Sequence, residues 1–184
     1  VLVLLDEAYV EFVADENAVR GERVINDYPN LVLLRTFSKA YGLAGLRVGY
    51  AIGPEYVMDA ARAVAIPFSV SDLAQRAAIV SLAHEAELLD RVASLAQLRD
   101  RVWANLIEQG WDAPRPHGNF VWLPTGTDTP IAAGIFEAHG IVARALGEGL
   151  RVSIGEAESV DKLLRASSEV VKIRRTTPPA PTLD

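Results

Sequence analysis

The chain has 184 residues, half of them hydrophobic, and its 18 basic and 24 acidic side chains give a net charge of −6. This length suits one domain or two small ones with a real core. The charge argues against a nucleic-acid protein, and the lack of cysteine excludes disulfides and thiolate metal sites. No apolar run approaches the roughly 18 residues of a membrane span, and no secretion signal is recognisable. We therefore expect a cytoplasmic protein that binds neither nucleic acid nor membrane.

The first third of the chain follows the pattern of an α/β domain. Val1–Leu5 is an apolar run without polar alternation, which predicts a strand covered on both faces, as in a parallel sheet. Because such a strand needs neighbours, we expect the chain to be the C-terminal part of a longer protein; the alternative is the ordinary first strand of a small domain. A polar stretch to Asn30 follows. After it we predict strands at 31–34 and 47–52 and a helix from Pro54 to about Val64.

The segment Ile66–Ser71 interrupts this pattern and predicts a boundary between one domain at 1–66 and a second at 67–175. Ser71 is placed to cap a long helical region that ends at Gly110, with a buried stripe that includes Val92 and Val102. The tail at 176–184 is rich in proline and predicted to be disordered. The other predicted elements, which together make a small α+β domain, are strands at 119–123, 141–144 and 150–154 and helices at 129–139 and 156–173.

Charge distribution gives the first indication of chemistry. Between Tyr28 and Pro54 there is no acidic residue, although Arg35, Lys39 and Arg47 lie there. Hydroxyls at Thr36 and Ser38 and nearby glycines complete a setting suited to a bound anion, most simply a phosphate. The alternative is a solvated basic face, but the neighbouring aromatic and aliphatic residues favour partial burial.

Lys39 stands out because the chain contains only three lysines, and the other two, Lys162 and Lys172, belong to the polar face of the last predicted helix. A lysine beside two arginines and partly desolvated favours its neutral form, which an amine nucleophile requires. A lysine whose stem simply covers apolar surface is the alternative.

Asp6 follows the first predicted strand directly, and Tyr9 comes three residues later. In α/β sheets, ligands bind at the carboxyl ends of the strands, so a carboxylate in this position is a candidate ligand-binding group. The phenol of Tyr9 is close enough along the chain to serve the same site. A helix or loop cap is the alternative role for Asp6.

These motifs together resemble the fold type I aminotransferases that use pyridoxal phosphate, and most closely the histidinol-phosphate and aromatic amino acid aminotransferase branch. The resemblance rests on Asp6-Glu7-Ala8-Tyr9, on the run Arg35–Arg47 with its S-K-x-x-x-x-x-x-x-R spacing, and on Leu150–Gly155. It covers residues 1 to about 175. It implies that 1–66 belongs to the large cofactor-binding domain with a mostly parallel sheet, and that 67–175 forms the small C-terminal domain.

The resemblance also implies roles for individual residues. Lys39 would bond to the cofactor aldehyde and then act as general base and acid at the substrate Cα. Asp6 would keep the pyridine nitrogen protonated, and Tyr9 would donate to the ring oxygen. The phosphate would be held by Arg47, Ser38 and Thr36. Arg151 would bind the substrate α-carboxylate, with Arg144 as a second candidate for substrate contact.

The function implied is the transfer of an amino group between an aromatic amino acid and 2-oxoglutarate, by a protein that is a homodimer at full length. Three alternatives stay open: a histidinol-phosphate aminotransferase, a decarboxylase of the same fold, and a non-catalytic fragment. The three histidines lack the spacing of metal ligands, so no metal site is predicted.

Overall fold

The computed structural model describes residues 1–176, so the predicted disordered tail at 176–184 lies outside the described residues except for Thr176. The chain divides into two compact units, an N-terminal unit at Val1–Ala93 and a C-terminal unit at Ser94–Asp184. The division falls inside a long helix and not at the boundary predicted between 66 and 67. That boundary stays a prediction for the whole protein.

A three-stranded sheet organises the N-terminal unit. Its strands are β1 (Val3–Asp6), β2 (Leu31–Thr36) and β3 (Gly49–Ile52), in that order across the sheet. β1 is parallel to β2, and Asp6 lies opposite Leu34, whereas β3 is antiparallel to β2. The carboxyl ends of β1 and β2 therefore meet at one edge. With one pair of each kind described, the mostly parallel sheet stays a prediction.

Helices complete the N-terminal unit. The predicted cap is confirmed, because Ser71 Oγ accepts a hydrogen bond from Ala74 N–H over 3.2 Å. A polar connection between β1 and β2 contains only short helical turns. The helices are α1 (Gly21–Val24), α2 (Glu55–Val64), α3 (Asp72–Ala83) and the first part of α4 (Glu85–Gln109).

The burial of β1 differs from the prediction. Leu31, Val32 and Leu33 of β2 are buried, but Leu4 of β1 is 60% exposed and Val3 is exposed as well. Too few of the described residues pack against the two faces of β1 to bury these side chains, and β1 is also an edge strand that pairs with β2 alone. The prediction of a first strand covered on both faces is therefore wrong for the described chain.

The C-terminal unit contains a second three-stranded sheet, built from β4 (Phe120–Pro124), β5 (Arg144–Leu146) and β6 (Gly149–Ser153) in the order β4-β6-β5. All its pairs are antiparallel. β5 begins where the predicted strand at 141–144 ended, because a two-residue turn with Gly147 at φ 54° connects it to β6 and fixes the register. The unit's helices are the second part of α4, α5 (Thr129–Ala138) and α6 (Val160–Thr176).

One core joins this second sheet to its helices. Along β6, Leu150 and Val152 are fully or nearly fully buried, and alternation therefore turns Arg151 to the opposite face. Gly110 ends α4 with φ 98°, and Trp111 N–H donates to Leu106 O over 3.1 Å, which confirms the predicted C-cap. The core residues contributed by the helices and by β4 include Val102, Leu106, Val121, Leu123, Phe136, Leu163 and Val170.

Candidate active site

The carboxyl ends of β1 and β2 bring two of the predicted motifs together. The strand pairing continues one step beyond Asp6, since Glu7 N–H donates to Leu34 O over 3.0 Å. Asp6 itself is exposed, and its Oδ1 accepts from Ala8 N–H over 3.0 Å. This short turn leads the chain off the sheet edge towards Tyr9.

Lys39 and Tyr9 meet at this edge. The Nζ atom of Lys39 lies 5.3 Å from the centroid of the Tyr9 ring, within the range of a cation–π contact. Both side chains are half-buried. The fold therefore brings together two predicted site residues that are 30 positions apart in the sequence.

The turn that carries Lys39 is closed by its own backbone and side chains. Thr36 Oγ1 accepts from Ser38 N–H over 3.1 Å, and Leu43 N–H donates to Phe37 O over 2.8 Å. Phe37 is buried with Val48 and with small residues of α3, so the backbone beside the lysine is anchored in the core of the unit. Thr36 and Ser38 consequently lie next to Lys39 on a fixed turn.

Arg47 closes the same glycine-containing segment. It adopts a left-handed backbone with φ 53°, which is uncommon for a residue with a side chain. Its Nη1 donates to Ala44 O over 2.7 Å, and the side chain is exposed. The structure thus places Arg47 two residues before β3, with an exposed side chain that donates a hydrogen bond within its own turn.

Arg35 has a different role from the one that the sequence suggested. Its Nε lies 2.6 Å from Glu7 Oε2, and its two terminal nitrogens lie 3.5 Å from Glu22 and 4.0 Å from Glu11. Within the acid-free stretch between Tyr28 and Pro54, the charge of Arg35 is therefore paired with carboxylates from earlier in the chain. The predicted anion site around Arg35, Lys39 and Arg47 stays a prediction, with the guanidinium of Arg35 already held by carboxylates.

Glu7 is the residue that sequence reasoning missed. Its side chain is 3% exposed, against 16% for Arg35. The second carboxylate oxygen accepts from Gly21 N–H over 2.6 Å, so both oxygens have partners. The only available signal was its place directly after Asp6, where strand alternation turns the two side chains to opposite faces.

Burial and the ion pair shift several pKa values at this edge. Burial lowers the pKa of Arg35, but the hydrogen bond to Glu7 and the attraction of nearby carboxylates outweigh it, so the net shift is upward. Burial raises the pKa of Glu11, against the opposing effects of a backbone hydrogen bond and Arg35. Burial, followed by a 2.7 Å hydrogen bond to Glu85, also raises the pKa of Tyr41. At neutral pH Arg35 is therefore cationic and Tyr41 neutral.

Arg151 forms a separate feature in the C-terminal unit. It lies opposite Arg144 on β5 and opposite Trp122 on β4, and its guanidinium carbon is 5.2 Å from the Phe120 ring centroid. Its Nε is buried with no hydrogen-bond partner among the described residues. An unpaired buried donor beside a second arginine favours an anionic ligand such as a carboxylate.

Two other kinds of site are absent from the described residues. Within residues 1–176, no three histidine or acidic side chains are grouped so that they could hold a metal ion. No helix in the described part of the chain is long and apolar enough to cross a membrane.

The chain belongs to the family described as aminotransferase class I and II, whose model matches residues 1–166. It is 51% identical over 173 residues to an aromatic amino acid aminotransferase of Streptomyces avermitilis, covering 94% of this chain and 48% of that protein. It is 52% identical to the protein of the same name from Thermobifida fusca, covering 89% and 46%. The chain thus spans about half the length of the curated relatives it matches.

Solved structures agree with this assignment. A histidinol-phosphate aminotransferase from Sinorhizobium meliloti in complex with pyridoxal-5'-phosphate has a TM-score of 0.79 and 31% identity, over 94% of this chain and 49% of that one. The histidinol-phosphate aminotransferase from Clostridium acetobutylicum has a TM-score of 0.81 and 23% identity, over 94% of this chain and 55% of its own. At this identity the likeness shows the shared fold alone.

Proposed function

We propose that this chain supplies the reactive lysine and the substrate arginine of a pyridoxal phosphate-dependent aminotransferase that acts on aromatic amino acids and 2-oxoglutarate. The observation that carries the proposal is the position of Lys39 Nζ over the Tyr9 ring at the strand edge where Asp6 ends β1. The relatives named as aromatic amino acid aminotransferases support the substrate class.

The donor set at this edge fits the cofactor. Pyridoxal phosphate presents an aldehyde, a ring nitrogen, a ring oxygen and a phosphate, and the unit offers an amine, a carboxylate, a phenol and a guanidinium with two hydroxyls. When bound, the cofactor supplies an electron sink for the carbanion formed at the substrate Cα. The corresponding residues are Lys39, Asp6, Tyr9, Arg47, Ser38 and Thr36.

Each residue then has a defined task. Asp6 holds a proton at the ring nitrogen, and Tyr9 donates a hydrogen bond to the ring oxygen. The amine of Lys39 removes the proton from the substrate Cα and later returns one, as general base and acid. Arg47 and Ser38 bind the phosphate, and Thr36 can donate its hydroxyl proton because its oxygen already accepts from Ser38 N–H.

Arg151 binds the substrate α-carboxylate in this proposal. Its buried, unpartnered Nε needs an acceptor, and a carboxylate matches the planar guanidinium with two parallel hydrogen bonds. Arg144 lies directly across the sheet pair and is the second candidate for this contact. Orientation of the substrate by such a pair aligns the Cα–H bond for removal of its proton.

The wider organisation is part of the same proposal. Residues 1–66 would belong to the large cofactor-binding domain, and 67–175 would form the small domain. The homodimer and the cytoplasmic location stay predictions.

The substrate assignment is tested with the natural protein that carries this chain, loaded with pyridoxal phosphate. Single-turnover rates with phenylalanine and with histidinol phosphate are compared, and carbon dioxide release without an oxo acid is measured in parallel. We expect faster turnover of phenylalanine and no carbon dioxide. A clear preference for histidinol phosphate would contradict the aromatic assignment, and carbon dioxide release would indicate a decarboxylase.

A further inference from the structure

The strand edge that carries the proposed site contains an ion pair with no assigned task. Glu7 follows Asp6 directly at the end of β1, and Arg35 lies in β2, four residues before Lys39. The pair joins the two strands at the point where their backbone pairing ends, since Glu7 N–H makes the last hydrogen bond, to Leu34 O.

The geometry of this pair is tightly determined. Its 2.6 Å contact is shielded from solvent, with the Glu7 side chain 3% exposed. Gly21 N–H occupies the other oxygen of Glu7, again at 2.6 Å, so the carboxylate is held from two sides. Buried ion pairs contribute little net stability but leave a costly unpaired charge when one partner is removed, so a strand arrangement that keeps Glu7 and Arg35 paired is strongly favoured.

Glu7 and Arg35 each belong to a backbone segment that leads directly into the proposed site, Glu7 beside Asp6 and Arg35 four residues before Lys39. Glu7 holds the start of the Asp6–Tyr9 turn, and Arg35 holds the strand that leads into the Lys39 turn. A change in this pair would therefore move the amine relative to the carboxylate and the phenol.

We infer that Glu7 and Arg35 are positioning residues, which set the distance and orientation of Lys39 relative to Asp6 and Tyr9. The inference rests on the proposed function. It predicts an effect on the chemical step, because proton transfer at Cα depends strongly on small displacements of the base. Binding of the substrate carboxylate, assigned to Arg151, is expected to change little.

Two variants separate geometry from charge. Glu7→Gln keeps the volume and the oxygen that accepts from Gly21 N–H, but it removes the charge that pairs with Arg35. Arg35→Lys keeps the charge and removes the planar fork that contacts three carboxylates. Asp59→Asn is the matched control, since it breaks an exposed arginine pair, at 2.6 Å to Arg62, on α2.

The experiment uses the natural protein that carries this chain, loaded with pyridoxal phosphate. kcat and KM for phenylalanine are measured, together with the pH at which the visible absorption of the Lys39-bound cofactor changes. For both Glu7→Gln and Arg35→Lys we expect kcat to fall by roughly 10- to 100-fold, because a misplacement of about 1 Å can cost about 10²-fold, with KM changed less than kcat. The titration midpoint should shift in both, whereas Asp59→Asn should match the unmodified protein.

Several outcomes would overturn the inference. The pair would be only structural if folded variants matched the unmodified protein in kcat and titration midpoint. The same conclusion would follow if the variants lost thermal stability alone. If Glu7→Gln fails to fold, Glu7→Asp is measured in the same way, and unchanged kcat and midpoint there would overturn the inference equally. Failure of the unmodified protein to bind the cofactor at Lys39 would instead contradict the proposed function.

Discussion

The two units differ in how completely they bury their apolar residues. The core of the C-terminal unit contains side chains from both its sheet and its helices, such as Leu123 and Phe136, which have no exposed surface. The N-terminal unit leaves large apolar residues exposed on both outer strands, including Leu4, Tyr50 and Ile52. Among the described residues, the proposed cofactor chemistry therefore lies on the unit whose apolar surface is less well covered.

The two units also differ in whether the residues that stabilise the fold are separate from those proposed to bind ligands. In the C-terminal unit, strand alternation buries one face and turns Arg151 to the other, so the core and the anion-binding side chain are independent. In the N-terminal unit the buried Glu7 pairs with the half-buried Arg35 at the strand edge that carries Asp6, so fold and proposed site share the same contacts. Exposed apolar patches of this kind mark surfaces that pack against further protein.

The largest expected effect concerns lysines from the two units. Lys39→Ala in the cofactor-loaded natural protein should reduce transamination by about 10²–10⁴-fold or more, because the general base is removed. Lys162→Ala, in α6 of the C-terminal unit, should leave the rate within about twofold, since its exposed side chain has no proposed role. Comparable rates for the two variants would remove Lys39 from the chemistry.

A matched pair of leucines tests the contrast in burial. Leu123→Ala should lower the free energy of unfolding by about 2–5 kcal/mol, because it opens a cavity in a filled core. Leu4→Ala, at 60% exposure, should cost less than about 0.5 kcal/mol. Denaturant unfolding of the chain measures both. Similar losses would mean that β1 is covered as well as the second sheet.

Arg151 tests the chemistry assigned to the C-terminal unit. Arg151→Lys removes the planar fork, and the loss of a charge-assisted hydrogen bond worth about 1.5–3 kcal/mol should lower kcat/KM for phenylalanine by roughly 10- to 100-fold. The exposed Arg165→Lys in α6 is the control and should have no effect. If the two variants behave alike, the substrate carboxylate binds elsewhere.

The smallest effect is the pH dependence of Glu11. Because burial raises its pKa in the folded chain, the folded state favours the protonated form. This contribution to stability is present below the ordinary pKa of 4.5 and is lost as pH rises through the folded value. Glu11→Gln should therefore be slightly more stable than the unmodified chain at pH 7 and equal to it near pH 3. A difference that grows towards low pH would contradict this sign.

The sequence predicted those features that depend on local patterns. Each of these features depends on residues close together in the chain. They are the helix cap at Ser71, the helix end at Gly110 and the strands around 31–34 and 150–154. The proximity of Tyr9 to Lys39 agrees with the family resemblance, which placed both residues at one cofactor.

Features that depend on partners distant in sequence could not be predicted. The Glu7–Arg35 pair joins residues 28 positions apart. The charge pattern along the chain suggested instead that Arg35 contributes to an anion site. The exposure of β1 depends on which distant elements pack against its faces. A buried Arg99, whose Nη1 donates to Gly118 O over 2.8 Å, is another contact without a local signal.

The most direct test of the central claim is to identify the lysine that binds the cofactor. Pyridoxal phosphate is added to the natural protein that carries this chain, the product is reduced with borohydride, and the modified peptide is mapped by mass spectrometry. The account predicts a single modification on Lys39 that is absent in Lys39→Ala. No modification, or modification spread over Lys162 and Lys172, would contradict it.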